Sequence, residues 1–144
     1  MLRKEILKMQ NKDNIKLVII DPVHLMIDKV SRKGGSHKQA FANIIEGIRD
    51  IAHELDLPII VTSQVRRRVE RRHGHRAKLK DLCGSGTLEQ IADVVLFILR
   101  DDYYTSKASF GHTTVFILKN RYGSEGSVHF RFIRDMLRFE SLCE

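Results

Sequence analysis

The first part of the chain alternates between a helical pattern and runs of apolar residues. Apolar positions recur at helical spacing near the start, which predicts an amphipathic helix over residues 2–10, followed by turn-prone residues 11–14. Residues 15–20 then form an apolar run, interrupted only by Lys16, that is rich in β-branched side chains. Such runs are typical of strands buried on both faces of a parallel sheet, so we predict the first strand here.

A second and longer helical pattern follows. Ser36 and Gln39 have the spacing of a capping box, and apolar residues repeat at helical spacing over residues 41–55. Pro58 stops this pattern, and residues 59–62 predict a second buried strand. Strand, helix and strand in this order indicate a βαβ unit, in which the two strands are parallel and the crossover is right-handed.

The remaining pattern predicts a short helix and further strands. The short helix is expected near residues 87–91, and a third buried strand at residues 94–99. Further strands are expected at residues 113–118, 128–133 and, as a short edge, 137–140. The links after residue 111 are of hairpin length, which indicates antiparallel pairing. We therefore predict the α/β class with a mixed sheet, a parallel core and antiparallel C-terminal strands, in a single domain over residues 1–144.

Composition supports an ordinary globular domain. The 144 residues are 42% apolar, which suffices for one core. The two cysteines show no paired spacing, which argues against a disulfide framework and a structural zinc site. No apolar run approaches the roughly 18 residues of a membrane span, and the N-terminus lacks the pattern of a signal peptide. These features predict a cytoplasmic protein without membrane contacts.

Positive charge is concentrated in one segment. The chain has a net charge of +7, and residues 66–80 contain eight lysines and arginines against the single acid Glu70. Clustered cations bind polyanions by releasing condensed counterions. A solvated helix face is the alternative. We favour nucleic-acid contact because Gly74 interrupts the run and no helical apolar period passes through it.

Polar residues follow four of the predicted strands, where ligands collect in open α/β sheets. They are Asp21, Ser63-Gln64, Arg100-Asp101 and Lys119-Asn120-Arg121. Loops face water, so any one of these positions alone is weak evidence for a site. Their combined chemistry, with an acid, an amide and several cations, indicates phosphate and metal binding.

Each of these residue types suits a step in phosphoryl transfer. The carboxylate of Asp21 is a hard oxygen ligand for Mg²⁺. Gln64 both donates and accepts hydrogen bonds, so it is suited to sense a γ-phosphate or a nucleophilic water, although a lone glutamine is more often a loop hydrogen-bonder. Arg121, with Lys119, would neutralise a transferring phosphoryl group. Cations at an edge strand also serve to prevent aggregation, which is the alternative.

The motifs together resemble a known family. Residues 17–26 look like a Walker B strand, residues 58–64 with the basic residues after them resemble a sensor-glutamine motif, and residues 81–93 are similar to a DNA-binding motif. Residues 100–104 and the Lys119-Asn120-Arg121 triplet follow at the expected spacing. The chain thus resembles the C-terminal RecA-like motor domain of DnaB-type replicative helicases over nearly its whole length.

This resemblance implies a hexameric ring around single-stranded DNA that uses ATP and Mg²⁺ to unwind duplex DNA. Asp21 would hold Mg²⁺, Gln64 would couple the phosphate to the DNA loop, and Lys119 and Arg121 would reach the ATP of a neighbouring subunit. The DNA-binding residues implied are Arg66, Arg67, Arg68, Cys83, Gly84 and Gly86. Many members have arginine at the position of Cys83. Primase and a helicase loader are the partners expected for the N-terminal region of such a protein.

One expected motif is missing from these residues. No Gly-x-x-x-x-Gly-Lys-Ser/Thr phosphate loop occurs in the 144 residues. The phosphate loop and the catalytic glutamate would lie upstream of Met1, and we expect the isolated chain to be inactive. Two alternatives remain: a truncated, non-catalytic paralogue that binds single-stranded DNA or intact helicase subunits, and a remnant of a RecA-like recombinase or circadian-type ATPase.

Overall fold

The computed structural model describes residues 2–27, 36–83, 85–100 and 111–142. The helices within these ranges are α1 (Leu2–Asp13), α2 (His37–Leu55) and α3 (Ser85–Ile91). The strands are β1 (Val18–Ile20), β2 (Ile59–Val61), β3 (Val94–Arg100), β4 (His112–Asn120), β5 (Gly126–Ile133) and β6 (Arg138–Ser141). The chain divides into two compact units. The first unit comprises Met1–Arg66 and Leu82–Ile91, and the second comprises Arg67–Asp81 and Ala92–Glu144.

The first unit contains the predicted βαβ arrangement. Strands β1 and β2 are parallel, with Ile19 opposite Ile60, which confirms the predicted pairing. Helix α1 runs three residues beyond its predicted end, and the positive φ of 50° at Asn14 then turns the chain away. Asparagine tolerates this left-handed conformation better than most residues. The core of the unit includes Ile6 of α1, which is 1% exposed.

Helix α2 forms where the apolar pattern predicted it, but its first turn differs from the prediction. Ser36 precedes the helix without a side-chain capping hydrogen bond, so the predicted capping box is wrong. The Gln39 side chain instead donates to Asn43 Oδ1 at 2.9 Å, because residues four apart are neighbours on a helix surface. The helix ends at Asp56, which adopts a left-handed conformation with φ of 47°.

The prediction that the first two strands are buried on both faces is wrong for this chain. Ile19 and Ile60, at the centres of β1 and β2, are 62% and 51% exposed. A strand is buried on both faces only where other elements cover both, and within the described part of the chain nothing covers the face that carries these two side chains. The opposite face is half-buried at Val18, Ile20, Ile59 and Val61.

The second unit is built on an antiparallel sheet in the order β3-β4-β5-β6. All three pairings are antiparallel, as predicted for the C-terminal strands. Strand β3 buries Val95 and Phe97 but exposes Leu96 and Ile98, so the prediction of a fully buried strand fails on one face. The parallel β1–β2 pair and the antiparallel C-terminal strands confirm the predicted α/β class.

Strand β4 begins next to a residue whose backbone requires glycine. Gly111 has φ of +78°, and a Cβ at this position would overlap with the carbonyl oxygen of Phe132. The Phe132 amide donates to the Gly111 carbonyl oxygen at 2.7 Å, which ties the start of β4 to β5. Among the helices that the structure describes, none is long and apolar enough to cross a membrane.

Candidate functional site

Asp21 lies directly after β1, and Thr62 directly after β2. The Thr62 hydroxyl donates a hydrogen bond to Asp21 Oδ1, and both residues are exposed. The backbone reinforces this link, because the Thr62 amide donates to Ile20 O at 3.0 Å and the Val23 amide donates to Thr62 O at 3.1 Å. The carboxylate predicted to bind a metal therefore has a hydrogen-bonding partner on the neighbouring strand end. The sequence pattern did not single out Thr62.

The surroundings of Asp21 are suited to Mg²⁺ rather than to a metal held only by protein ligands. The described ranges contain no group of three or more histidine, cysteine, aspartate or glutamate side chains that would hold a metal ion. Mg²⁺ usually keeps several waters and takes one or two carboxylates together with substrate phosphates. A single exposed carboxylate oriented by Thr62 fits that mode of binding, with Asp21 as the protein ligand.

Gln64 is linked to the 81–93 motif through the backbone. The Cys83 amide donates to the Gln64 carbonyl oxygen at 3.0 Å, and Val65 forms an antiparallel bridge with Leu82. The Gln64 side chain is exposed. Backbone contacts therefore join the segment that follows β2 to the start of the 81–93 motif, and all four of these residues belong to the first unit.

Gly86, the glycine of the 81–93 motif that the structure describes, faces open space. Cys83 is a free, half-buried thiol, and a Cβ on Gly86 would meet no atom within 4 Å. The packing of this chain therefore does not itself demand a glycine at position 86. Gly84, also predicted to contact DNA, lies outside the described residues.

Asp81 is the centre of the basic segment. Its side chain is 0% exposed and accepts hydrogen bonds from Arg68 Nε, Arg72 Nη1 and the Lys78 amide, each at 2.8 Å. These contacts hold the pKa of Asp81 well below its usual value. The hydrogen bond from Arg72 contributes most to this shift, and the hydrogen bonds from the Lys78 amide and Arg68 add to it. Burial acts in the opposite direction, because it disfavours the charged form. The sequence predicted Asp81 only as the first residue of the 81–93 motif and did not indicate its role in the basic segment.

The arginines predicted to bind DNA do not share one environment. Arg67 and Arg66 are exposed. Arg68 is bound to Asp81 and also donates to the Lys80 carbonyl oxygen at 2.8 Å, while its side chain is 48% exposed. Of the three consecutive arginines, Arg68 therefore has a structural contact with Asp81. The sequence does not distinguish Arg68 from Arg66 and Arg67.

The Lys119-Asn120-Arg121 triplet lies at the end of β4. Val95 pairs with Lys119 and Leu96 with Ile117, so Leu118 is the extra residue of a β-bulge directly before the triplet. Bulges often re-aim side chains beside functional sites. The Asn120 side chain accepts a hydrogen bond from the Tyr122 amide at 3.1 Å, which shapes the turn that carries Arg121.

Arg121 has a partner within the second unit. Its Nη1 donates to Asp93 Oδ1 at 2.9 Å, and its amide donates to the Asp93 carbonyl oxygen at 3.0 Å. The predicted strand-end pair Arg100-Asp101 is described only in part: the Arg100 guanidinium lies 4.7 Å from the centre of the Phe132 ring, and Asp101 is outside the described residues.

The predicted site residues fall into both units. Asp21, Gln64, Arg66, Cys83 and Gly86 belong to the first unit. Arg67, Arg68, Lys119 and Arg121 belong to the second unit. Within each unit the structure connects predicted residues to partners that were not predicted, namely Thr62 to Asp21, Asp81 to Arg68, and Asp93 to Arg121.

The family model of the DnaB-like helicase C-terminal domain matches residues 1–141. The chain belongs to this family. Among curated relatives of the DnaB-like domain, the replicative DNA helicase DnaB of Mycoplasma pneumoniae is 34% identical and is matched over 96% of the present chain. The replicative DNA helicase DnaC of Bacillus subtilis is 31% identical over 98% of the chain, and a probable plasmid replicative DNA helicase of Chlamydia psittaci is 37% identical over 87%. The chain spans only 27% to 31% of these relatives' lengths.

Solved structures agree with the family assignment. A DnaB-like replicative helicase, described with its interactions with primase, superimposes with a TM-score of 0.88 at 32% identity, over 98% of this chain and 34% of that one. A second solved structure, described as an ATPase domain, also gives 0.88 at 31% identity, over 98% of this chain and 50% of that one. These matches confirm the predicted resemblance to DnaB-type helicases and the RecA-like α/β fold of the DnaB-like domain.

Proposed function

We propose that the DnaB-like domain is the C-terminal part of an ATP-dependent replicative DNA helicase that assembles as a hexameric ring on single-stranded DNA and unwinds the duplex. The family match over residues 1–141 supports the helicase assignment. Two contacts support the mechanism that we propose. Thr62 donates a hydrogen bond to Asp21, the carboxylate that would bind the metal, and the Gln64 carbonyl oxygen accepts one from Cys83 in the motif that would bind DNA.

The hydrogen bond between the Cys83 amide and the Gln64 carbonyl oxygen is the observation that carries this proposal. The side chain of Gln64 is exposed and suited to contact a γ-phosphate or its attacking water. A shift of Gln64 on hydrolysis would move its backbone, and the hydrogen-bonded start of the 81–93 motif would follow. This arrangement converts the state of the nucleotide into a movement of the DNA-binding motif.

The nucleotide would be held from two sides. Asp21, oriented by Thr62, would take Mg²⁺ of the MgATP complex. Lys119 and Arg121 would act on the ATP of a neighbouring subunit, where the planar guanidinium is suited to phosphate oxygens. Arg121 must leave Asp93 to do so. An exposed ion pair is worth about 1 kcal/mol or less, so a phosphate competes for the guanidinium at little cost.

DNA would be held by the basic residues and by the glycine-containing motif. The family resemblance assigns phosphate contacts to Arg66, Arg67 and Arg68. Backbone amides near Cys83, Gly84 and Gly86 would supply further contacts. The open space beside Gly86 allows a close approach of the sugar-phosphate backbone.

The isolated 144 residues are expected to hydrolyse no ATP. They contain no Gly-x-x-x-x-Gly-Lys-Ser/Thr sequence, and positioning of the β- and γ-phosphates is most of the catalytic task. The phosphate loop would come from another part of the same polypeptide. Contacts with primase and a helicase loader would likewise involve other parts, and the cytoplasmic location stays a prediction.

A fusion of this chain to the upstream part of the Bacillus subtilis relative tests the proposal. We expect the fusion to show ATP turnover that single-stranded DNA stimulates. Gln64→Ala should abolish the stimulation while leaving DNA binding in place, whereas the matched variant Gln39→Ala, on the surface of α2, should behave as the parent. Equal stimulation in the Gln64 variant and the parent would refute the coupling role.

A second function is favoured by the position of the basic segment. The part of the segment over residues 67–81 is folded by the ion pairs of Arg68 and Arg72 with Asp81, which lie within the second unit. A non-catalytic protein that binds single-stranded DNA, or docks on intact helicase subunits, would use it directly. Salt-dependent DNA binding by the 144-residue chain, with no stimulation of turnover in the fusion, would favour this function over the first.

A further inference from the structure

Six of the eight cations of residues 66–80 fall into two groups in the structure. Arg68 and Arg72 are bound to the buried Asp81. Four others have exposed residues and, within the described part of the chain, neither an ion pair nor a side-chain hydrogen bond; they are Arg67, Arg71, Lys78 and Lys80. Arg68 and Arg72 each directly follow a member of the exposed group, so the sequence alone does not separate the two groups.

The hydrogen bonds around Asp81 close the segment on itself. Arg72 Nη1 reaches both Asp81 Oδ2, at 2.8 Å, and the Arg76 carbonyl oxygen, at 2.6 Å. Arg68 reaches Asp81 Oδ1 and the Lys80 carbonyl oxygen, both at 2.8 Å. Each guanidinium thus connects the carboxylate to a backbone carbonyl of the same segment. The Lys78 amide provides a third donor to the carboxylate.

A carboxylate that is fully buried must keep its charged partners, because an unpaired charge away from water is strongly unfavourable. Asp81 is 0% exposed, whereas Arg68 and Arg72 keep 48% and 29% of their side-chain exposure. The acid is therefore the fixed centre, and the segment around it is arranged to supply its donors. Loss of this one charge would free both guanidinium groups and the amide at once.

We propose that Asp81 is a positioning residue that folds residues 67–81 into a rigid frame with Arg68 and Arg72, and that Arg67, Arg71, Lys78 and Lys80 form the phosphate-binding face for single-stranded DNA. This inference rests on the proposed function, since it specifies how the DNA-binding segment is built. It also reassigns Arg68 from the binding face to the frame.

The chemistry of the face fits a phosphate chain better than a base. The four side chains are cations without an aromatic partner among them, so they recognise charge rather than base edges. Arg76, a further cation of the segment, lies 5.4 Å from the centre of the Phe116 ring. Because ordered cations bind phosphates by counterion release, we expect binding that depends on salt and not on base sequence.

Two charge-matched variants of the 144-residue chain test the role of Asp81, with a fluorescent oligodeoxythymidine as the probe. Asp81→Asn and Glu70→Gln each remove one negative charge from the same segment. The Glu70 side chain is exposed and, within the described part of the chain, makes neither an ion pair nor a hydrogen bond. Charge alone predicts tighter binding for both variants. We expect Glu70→Gln to bind a few-fold tighter and Asp81→Asn to bind about tenfold weaker, because the segment that carries the four cations would lose its fixed conformation and binding would then have to order it.

Amide hydrogen exchange reports on the frame without DNA. The Lys78 amide, which donates to Asp81, should exchange much faster in Asp81→Asn and at the parent rate in Glu70→Gln. Tighter DNA binding by Asp81→Asn with unchanged exchange at Lys78 would overturn the inference.

A second pair covers the case in which Asp81→Asn does not fold. Arg67→Gln and Arg68→Gln each remove one positive charge, and Arg72 still holds Asp81 in both. We expect Arg67→Gln to reduce the slope of log affinity against log salt by about 0.7 without altering exchange. Arg68→Gln should accelerate exchange at Lys78.

The remaining outcomes separate this inference from the function on which it rests. Equal slope changes in the two arginine variants with unchanged exchange would overturn the division into frame and face, while single-stranded DNA binding itself would stand. No binding of the probe by the parent chain at low salt would overturn both the face and the proposed DNA contacts. Stronger binding to duplex DNA or to vesicles of anionic lipid than to the probe would overturn the choice of single-stranded DNA.

Discussion

The guanidinium of Arg121 donates a hydrogen bond to the Asp93 carboxylate at 2.9 Å, and the Arg121 amide donates to the Asp93 carbonyl oxygen at 3.0 Å. The two side chains are 49% and 48% exposed. Arg121, which we propose reaches the ATP of a neighbouring subunit as an arginine finger, is therefore kept in an ordered, solvent-accessible position within its own unit. A weak, exposed pair of this kind suits a residue that must exchange a carboxylate for a phosphate.

Replacement of Arg121 should separate catalysis from stability. We expect Arg121→Ala to shift the free energy of unfolding by about 1 kcal/mol or less, because the pair is exposed, yet to abolish ATP turnover in the fusion with an upstream relative. Arg138→Ala removes another exposed ion pair, with Glu140, and should retain turnover. Thermal unfolding and steady-state ATPase measurements provide the comparison. Undiminished turnover in Arg121→Ala would contradict the assignment.

The hydroxyl of Thr62 should matter for the metal. Thr62→Val keeps the side-chain shape but removes the donor to Asp21, so the carboxylate loses its fixed orientation. We expect this variant of the fusion to need several-fold more Mg²⁺ for half-maximal turnover, whereas Thr62→Ser, which keeps the hydroxyl, should resemble the parent. A magnesium titration distinguishes the two. If the valine and serine variants need the same concentration as the parent, Thr62 does not position Asp21.

Two glycine substitutions should have opposite effects on stability. Gly111→Ala forces a side chain against the Phe132 carbonyl oxygen at a positive φ, and we expect it to destabilise the chain by more than about 1 kcal/mol. Gly47 lies within α2, where an added Cβ would meet no atom within 4 Å, so Gly47→Ala should stabilise by about 0.5–1 kcal/mol. Chemical denaturation measures both. Equal changes would mean that the Gly111 turn does not constrain β4.

The order of the basic segment should resist mild acid. The pKa of Asp81 is lowered in the folded chain, first by the hydrogen bond from Arg72, so its contribution to stability is complete above the ordinary aspartate pKa of about 3.9. It is lost only as the pH falls further towards the lowered folded value. Arginine stays charged throughout.

Hydrogen exchange at the Lys78 amide, corrected for the intrinsic pH dependence of exchange, measures how the order of the basic segment changes with pH. Protection should be constant from about pH 8 down to about pH 4.5 and should fall only below the ordinary aspartate range. Loss of protection near pH 6 would indicate that a histidine, and not Asp81, controls the segment.

Patterns within a short stretch of sequence were sufficient for much of the fold. The apolar repeat of α2 and the β-branched runs of β2 and β4 predicted those elements because the periodicity is local. The incorrect predictions concern the burial of strand faces, which depends on the elements that pack against them. The exposure of Ile19 depends on which other elements cover β1, and no local pattern contains that information.

The candidate site was predicted unevenly for the same reason. Asp21 and Gln64 follow apolar runs, so their strand-end positions were visible in the sequence. Their partners were not, since Thr62 is 41 positions from Asp21 and Arg121 is 28 positions from Asp93. Arg67 and Arg68 are neighbours of the same type, and only the contact with Asp81 separates them.

A subunit-mixing experiment tests the central claim most directly. One fusion would carry Arg121→Ala, and the other would carry an inactive upstream phosphate loop with Arg121 intact. Each alone should lack ATP turnover stimulated by single-stranded DNA. If Arg121 acts on the ATP of a neighbouring subunit, the mixture should regain turnover, because some interfaces then combine an intact phosphate loop with an intact arginine. A mixture that stays inactive, although the two proteins are shown to form mixed rings, would contradict the account.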